Sequence, residues 1–230
     1  VKVIGVDPWS DEPGFADAVA ATGVSGLCGS GIIEVIAEMY LAGLLDGDGS
    51  IVADNAERTD DVVEDGRTFR YVFYRGQGTE LSITQNDVRA VQLAKAALRA
   101  GIDLLLEHAG NPTVTDMRLA GAFGAHIDPL HAMVLGLVPD CPLDGVKSVG
   151  NAAGVGAVTA LLSAAARAEM ESAVRGIDKI ETATEPRFQE LFVAAMALPH
   201  ASAPTGHLGT VVALPERRPA AVPRRRRRAG

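Results

Sequence analysis

Apolar residues recur at the spacing of an α-helix in several parts of the chain. Ile32, Ile36, Met39 and Tyr40 lie three or four residues apart, which predicts a helix over residues 31–43. A glycine ends this pattern, as is common at the C-terminus of a helix. The segment therefore has one face suited to packing against a core.

A longer helix is predicted to begin at Thr84 and to end near Gly110. Thr84 can accept hydrogen bonds from free backbone N–H groups, and Asp87 lies three residues on, close to a capping box. Arg99 and Asp103 have the i,i+4 spacing of a helical ion pair. The face predicted to be apolar and buried comprises Val88, Val91, Leu98, Ile102 and Leu105.

Short β-branched or aliphatic runs predict strands between the helices. These runs cover residues 1–6, 68–74, 81–83, 117–119 and 147–149. Two further helices are predicted over residues 154–170 and 187–197. The acidic residues 46–65 are predicted to form a loop within a surface excursion over 44–66. The alternation of strands and helices is typical of an α/β fold.

Three glycine-rich turns carry the candidate chemistry. Residues 121–124 lie between a predicted strand and a helix, and residues 26–31 and 150–156 also precede helices. Such turns bring backbone close to a phosphate or nucleotide, because a Cβ would block the approach or forbid a positive φ. For each turn the alternative is geometry alone: a tight turn, a capping Ser30, or close helix–sheet packing.

Three other side chains have reactive groups at these turns. Cys28 is interpreted as a small buried residue, with a helix-terminal thiol of lowered pKa as the alternative. His126 and Asp128 allow acid–base or metal chemistry, but Asp128 before Pro129 equally predicts an ordinary helix start. The chain has no phosphate-binding P-loop, no nucleophile elbow and no Cys-x-x-Cys pair, so no metal site and no catalytic residue is assigned.

Composition narrows the class further. The 230 residues are 47% apolar and 4% aromatic, enough for a core of small aliphatic side chains. Two cysteines cannot form a disulfide framework, which together with the absence of a signal peptide or a membrane-length apolar run favours a cytoplasmic protein. The first residue, Val1, is not a methionine, which favours a fragment of a longer protein.

Charge divides the chain into a body and a tail. The net charge is −8 although residues 215–230 include Arg224 to Arg228, so the body over 1–214 is more acidic than the whole. An acidic body makes nucleic acid an unsuitable main partner. The tail is predicted to be disordered and solvated.

Five ordered segments resemble the reductive activators of corrinoid-dependent enzymes. The segments are residues 26–33, 83–97, 119–124, 136–140 and 148–154, within a resemblance that covers roughly residues 1–205. These activators belong to the acetate kinase, sugar kinase, heat-shock chaperone and actin superfamily of ATPases. The resemblance implies a ribonuclease-H-like lobe of that superfamily, with a mixed sheet flanked by helices.

The resemblance also implies a function and ligands. Such a protein uses ATP and Mg²⁺, with an iron–sulfur cluster in a region N-terminal to this one, to return cobalt(II) corrinoid proteins or methyltransferases to cobalt(I). It implies nucleotide contact for Gly121, Ala122 and Gly124 in the adenosine-side turn, and for Gly29 and Ser30.

The phosphate loops and cluster-binding cysteines of these activators are missing from this sequence, and Ala122 stands where a glycine is usual. The chain is therefore expected to supply the second lobe of the ATPase and to be inactive alone. Two alternatives stay open: a nucleotide-independent docking module for a corrinoid protein, and a relative of small-metabolite kinases. A homodimer also stays open.

Overall fold

The computed structural model describes residues 1–76 and 78–216. Its helices are α1 (Phe15–Val19), α2 (Gly29–Leu41), α3 (Gln85–His108), α4 (Gly121–His126), α5 (Pro129–Leu135), α6 (Ala152–Leu162), α7 (Ala164–Arg175), α8 (Phe188–Ala195) and α9 (Leu208–Val211). Its strands are β1 (Val62–Asp65), β2 (Thr68–Gly76), β3 (Thr79–Thr84), β4 (Met117–Ala120) and β5 (Val146–Gly150).

The strands are divided between two sheets. β1, β2 and β3 form an antiparallel sheet in that order, whereas β4 and β5 form a parallel pair. Helices flank both sheets, so the predicted α/β class is confirmed. A register shift between Leu119 and Ala120 places Ala120 opposite Gly150 at the carboxyl ends of the parallel strands.

The main core lies between α2, α5 and the inner faces of the strands. Its most buried members include Ile36, Met39, Val88 and Leu135, each at most 1% exposed. α5 is short but inserts four consecutive buried residues into this core, from Ala132 to Leu135. The periodicity of residues 31–43 therefore identified a core helix correctly.

The long helix α3 begins as expected but buries a face that only partly matches the predicted one. Thr84 and Asp87 form the capping box, and Arg99 Nε donates to Asp103 at 2.8 Å. Leu98 and Leu105, predicted to be inward, are 49% and 58% exposed. Val88, also predicted to be inward, is buried, as are Ala96, Ala100 and Leu104. The same buried face carries polar side chains, which bind the backbone of a distant segment.

That distant segment consists of residues 196–200. Gln92 Nε2 donates to the carbonyl of Met196 at 2.9 Å. Lys95 Nζ donates to the carbonyls of Ala197 and Pro199. These hydrogen bonds offset the cost of burying Gln92 and Lys95, which are 1% and 2% exposed.

Residues 44–66 differ from the predicted surface excursion. Leu45, Ile51 and Val62 are buried in the main core. The buried side chain of Asn55 donates to the carbonyl of Gly43 at 2.9 Å. The acidic residues gave the segment a polar composition, but its larger apolar residues are buried or partly buried. Its last residues form β1, so the loop prediction is wrong there.

Two other boundaries differ. Residues 1–6 are not a strand in the structure, because no described strand pairs with them. The helix predicted over 154–170 is two helices, α6 and α7, separated at Ser163. Ser163 has extended backbone angles, and its hydroxyl accepts from the N–H of Ala166, so it caps α7 and ends α6.

α6 and α7 bury none of their residues. They contact each other, and none of their residues belongs to the main core. Of the predicted basic tail, residues 217–230 lie outside the described residues.

Candidate functional site

The turn between β4 and α4 has the geometry that requires glycine. Gly121 has φ +89°, which L side chains rarely adopt. A Cβ at Gly124 would lie 3.1 Å from the backbone carbonyl carbon of Leu119, so small size is needed there as well. Ala122, between them, is exposed to solvent. The turn thus presents an open, uncharged backbone surface.

The N-terminus of α2 packs against this turn. A Cβ at Gly29 would lie 3.4 Å from the ring of Phe123, in ordinary van der Waals contact, so the two segments are adjacent. Phe123 stays 50% exposed beside this contact. Sequence reasoning did not single out Phe123, although it was the one aromatic residue within the turn.

The turn between β5 and α6 lies beside the turn between β4 and α4. Because β4 and β5 are parallel and Ala120 is opposite Gly150, the turns that follow the two strands lie at the same edge. Asn151 Oδ1 accepts from the N–H of Gly154 at 2.9 Å and caps α6. All three predicted glycine turns therefore meet in one part of the molecule.

A groove of about 920 Å³ borders the α2 side of this region. Ser30 and Cys28 line it, together with Trp9, Glu38 and His131. Gly121, Ala122 and Gly124 are not part of its lining. The groove and the turn of residues 121–124 are therefore separate features.

Cys28, not Ser30, caps α2. Its Sγ accepts from the N–H of Gly31 at 3.3 Å and lies 3.4 Å from the hydroxyl of Ser30. The hydrogen bond with Ser30, and then that with the Gly31 N–H, lower the pKa of the Cys28 thiol. The interpretation of Cys28 as a buried residue is wrong, because its thiol lies at the exposed end of a helix.

The histidines near α4 and α5 have structural contacts. Asp128 Oδ1 accepts from the N–H of His131 at 3.0 Å, which confirms the ordinary helix start. His131 Nε2 lies 2.8 Å from Glu38 Oε1 and links α5 to α2. His126 is exposed at the end of α4. Within residues 1–76 and 78–216, no group of three or more potential ligands could hold a metal ion.

The chemistry of the site is that of a neutral surface. Residues 121–125 carry no charged side chain, so a ligand at this turn would meet backbone groups and apolar side chains. No described helix has the length and apolar character needed to cross a membrane.

Parallel strands with glycines after their carboxyl ends, flanked by helices, define an α/β domain. The chain belongs to the family described as the C-terminal domain of RACo, the ASKHA domain, which matches residues 1–207. This membership confirms the resemblance inferred from the five sequence segments.

Two relatives illustrate the family. The corrinoid activation enzyme RamQ of Eubacterium limosum is 36% identical over 186 residues, covering 76% of this chain and 31% of RamQ. A solved structure named as a reductive activator for corrinoid, iron–sulfur protein is 30% identical, with a TM-score of 0.68. It covers 77% of this chain and 29% of that one. The chain thus spans about a third of the relatives' length.

Proposed function

We propose that this chain supplies part of the nucleotide-binding lobe of an ATP-dependent reductive activator, which returns a cobalt(II) corrinoid protein or methyltransferase to cobalt(I). The observation that carries the proposal is the meeting of three glycine turns at one edge, in a chain that belongs to the ASKHA family of RACo. Relatives named for corrinoid activation support the choice of partner.

Within this proposal, Gly121, Ala122 and Gly124 contact the adenosine, and Gly29 and Ser30 border the same nucleotide. Gly121 and Gly124 keep the backbone accessible, while Phe123 fixes the turn against α2 through its contact with Gly29. The nucleotide bound by these residues is ATP, and the metal ion that accompanies it is Mg²⁺. The neutral turn implies that groups holding the phosphates and Mg²⁺ come from outside residues 1–207. The same holds for an iron–sulfur cluster, which requires more thiolates than Cys28 and Cys141.

The test uses a chimera in which residues 1–207 replace the matching part of RamQ. Ala122→Glu places a carboxylate and extra bulk at the exposed turn, without a positive φ to disturb. Isothermal titration with ATP and Mg²⁺ is expected to show a loss of affinity of about tenfold or more. The matched control is Ala90→Glu, at an exposed position of α3, which is expected to leave affinity unchanged.

Equal affinities for the two variants would exclude the turn from the nucleotide site. A nucleotide-independent docking module makes the opposite prediction: the chimera then binds a corrinoid protein equally well with and without ATP. Dependence of that binding on nucleotide supports the activator.

A further inference from the structure

We infer that the groove beside α2 is a binding site for an organic cation, meaning an ammonium or guanidinium group carried on an apolar body. With a volume of about 920 Å³, this groove has the size that holds a small organic molecule. α2 lines it with Glu34 and Glu38, and β2 lines it with Tyr71 and Phe73. The combination of carboxylates and aromatic rings determines which ligand it suits.

Aromatic side chains are concentrated in this groove. The chain has one tryptophan, three tyrosines and six phenylalanines, and three of these ten residues line it, namely Trp9, Tyr71 and Phe73. Trp9 is 51% exposed. Aromatic rings attract a cation to their faces because the π system carries partial negative charge there, and tryptophan does so most strongly.

A cation of the chain itself already lies over one of these rings. Lys2 Nζ is 5.8 Å from the centre of the Trp9 ring, within the range of a cation–π contact. Both residues are exposed, and both line the groove. The face of the indole is therefore accessible to a positive charge at the edge of the groove.

The carboxylates of α2 supply the complementary negative charge. Glu34 and Glu38 are four residues apart, so they lie on the same face of the helix. Glu38 contacts His131, whereas within residues 1–76 and 78–216 no cation forms an ion pair with Glu34. Glu34 is also only partly exposed. A partly buried carboxylate without a counter-ion attracts a cation and repels an anion such as a nucleotide phosphate.

These two features together define the class of ligand. A neutral apolar molecule would contact the rings but leave Glu34 without a counter-ion. A metal ion is unsuited, because the described residues contain no group of three or more potential ligands. An organic cation satisfies the rings and the carboxylate at once. Its source is either a free amine or an arginine side chain of a partner protein, and the inference does not rest on the proposed nucleotide site.

Trp9 is the one tryptophan of the chain, so its fluorescence reports on the groove directly. The 230-residue chain is titrated at pH 7, without nucleotide, with phenethylammonium, its neutral analogue 2-phenylethanol and the anion phenylacetate. Phenethylammonium is expected to give a saturable change with a Kd at least about tenfold lower than that of 2-phenylethanol. Phenylacetate is expected to give no saturable change.

A fourth probe, Nα-acetyl-arginine amide, distinguishes the two sources of the cation. Saturable binding that is tighter than that of phenethylammonium would support an arginine of a partner as the natural ligand. Weaker binding would support a free amine.

A charge-removing variant tests the role of the carboxylate. Glu34→Gln keeps the size of the side chain and should weaken the binding of phenethylammonium about fivefold or more. The matched control is Glu169→Gln on the exposed α7, which should leave the Kd unchanged. Circular dichroism verifies that both variants are folded.

Three results would overturn the inference. These are equal Kd values for phenethylammonium and 2-phenylethanol, preferential binding of phenylacetate, and an unchanged Kd in Glu34→Gln. None of them bears on the proposed function, which is tested separately by the affinity of the Ala122→Glu chimera for ATP.

Discussion

α2 and α6 are both apolar helices that follow a glycine-rich turn, yet they differ completely in burial. α2 carries Glu34 and Glu38 and still buries five residues in the main core, whereas α6 has no charge and buries none. An apolar composition therefore indicates that a helix needs to be buried. Whether it is buried depends on the elements that pack against it. The main core together with α3 is here called the packed region. Matched substitutions there and in the α6–α7 region should therefore have opposite or very different effects on the free energy of unfolding.

Two glycines should give the largest contrast. A Cβ at Gly136, which has φ +74°, would overlap the carbonyl oxygen of Pro199. Gly136→Ala is expected to lower the free energy of unfolding by about 4 kcal/mol, measured by urea denaturation. Gly156→Ala in α6 should raise it by about 0.5 to 1 kcal/mol, because alanine favours the helix and meets no neighbour. Effects of the same sign would break the comparison.

Two leucines test burial itself. Leu104 is 1% exposed on α3 and Leu162 is 81% exposed on α6. Leu104→Ala should cost about 3 kcal/mol through lost burial and a cavity. Leu162→Ala should change the free energy of unfolding of this chain by less than about 0.5 kcal/mol. A cost at Leu162 close to that at Leu104 would mean that α6 is already covered in solution.

A titrating cluster is found in the packed region. Burial raises the pKa of Asp103, but hydrogen bonds from His200 and Arg99 outweigh it and hold that pKa below its usual value. Because the pKa of Asp103 is lower in the folded state than in the unfolded state, its ionised carboxylate stabilises the fold. This stabilisation is present at pH values above the unfolded pKa, near 3.8. It is lost as the pH falls through the pKa of the folded state.

Asp103→Asn is therefore expected to cost about 2 kcal/mol at pH 7 and less at pH 3, measured by urea denaturation at both values. The control is Glu171→Gln on the exposed α7, which should have almost no effect at either pH. A cost for Asp103→Asn that is the same at both pH values would contradict the assigned role of the carboxylate.

The smallest contrast concerns the two thiols. Cys28 is exposed with a lowered pKa, whereas burial raises the pKa of Cys141 in the core. Iodoacetamide at pH 7 should alkylate Cys28 in the folded chain and Cys141 only after unfolding. Ser30→Ala should slow alkylation of Cys28 about threefold, because the hydrogen bond that contributes most to the lowered pKa is lost. An unchanged rate would remove Ser30 from that role.

Local signals were enough to predict most elements. Thr84 with Asp87 marked the start of α3. Each glycine-rich segment was correctly placed at the start of a helix, although its glycines extend into the helix itself and no strand precedes α2. The meeting of these turns could be expected only in part. The contact between Gly29 and Phe123 joins segments far apart in sequence, and no local pattern encodes it.

The buried face of α3 could not be predicted from hydropathy. Gln92, Lys95 and Arg99 look like solvent-facing residues, so the apolar residues beside them were assigned to the core. Their burial depends on carbonyl groups that the chain supplies much later. Ser163 likewise looked like one more small residue within a continuous helix, although it caps α7.

The polar face of α3 also sets an order of events during synthesis. Gln92 and Lys95 reach carbonyls 104 and 102 residues further along the chain. When α3 leaves the ribosome, Asp48, whose carbonyl also accepts from Gln92, has already been made. The hydrogen bonds of Gln92 and Lys95 to residues 196–200 can form only after that segment emerges. Contacts of such long sequence separation form late and slow folding. The packed region can therefore close only after residues 196–200 have been translated.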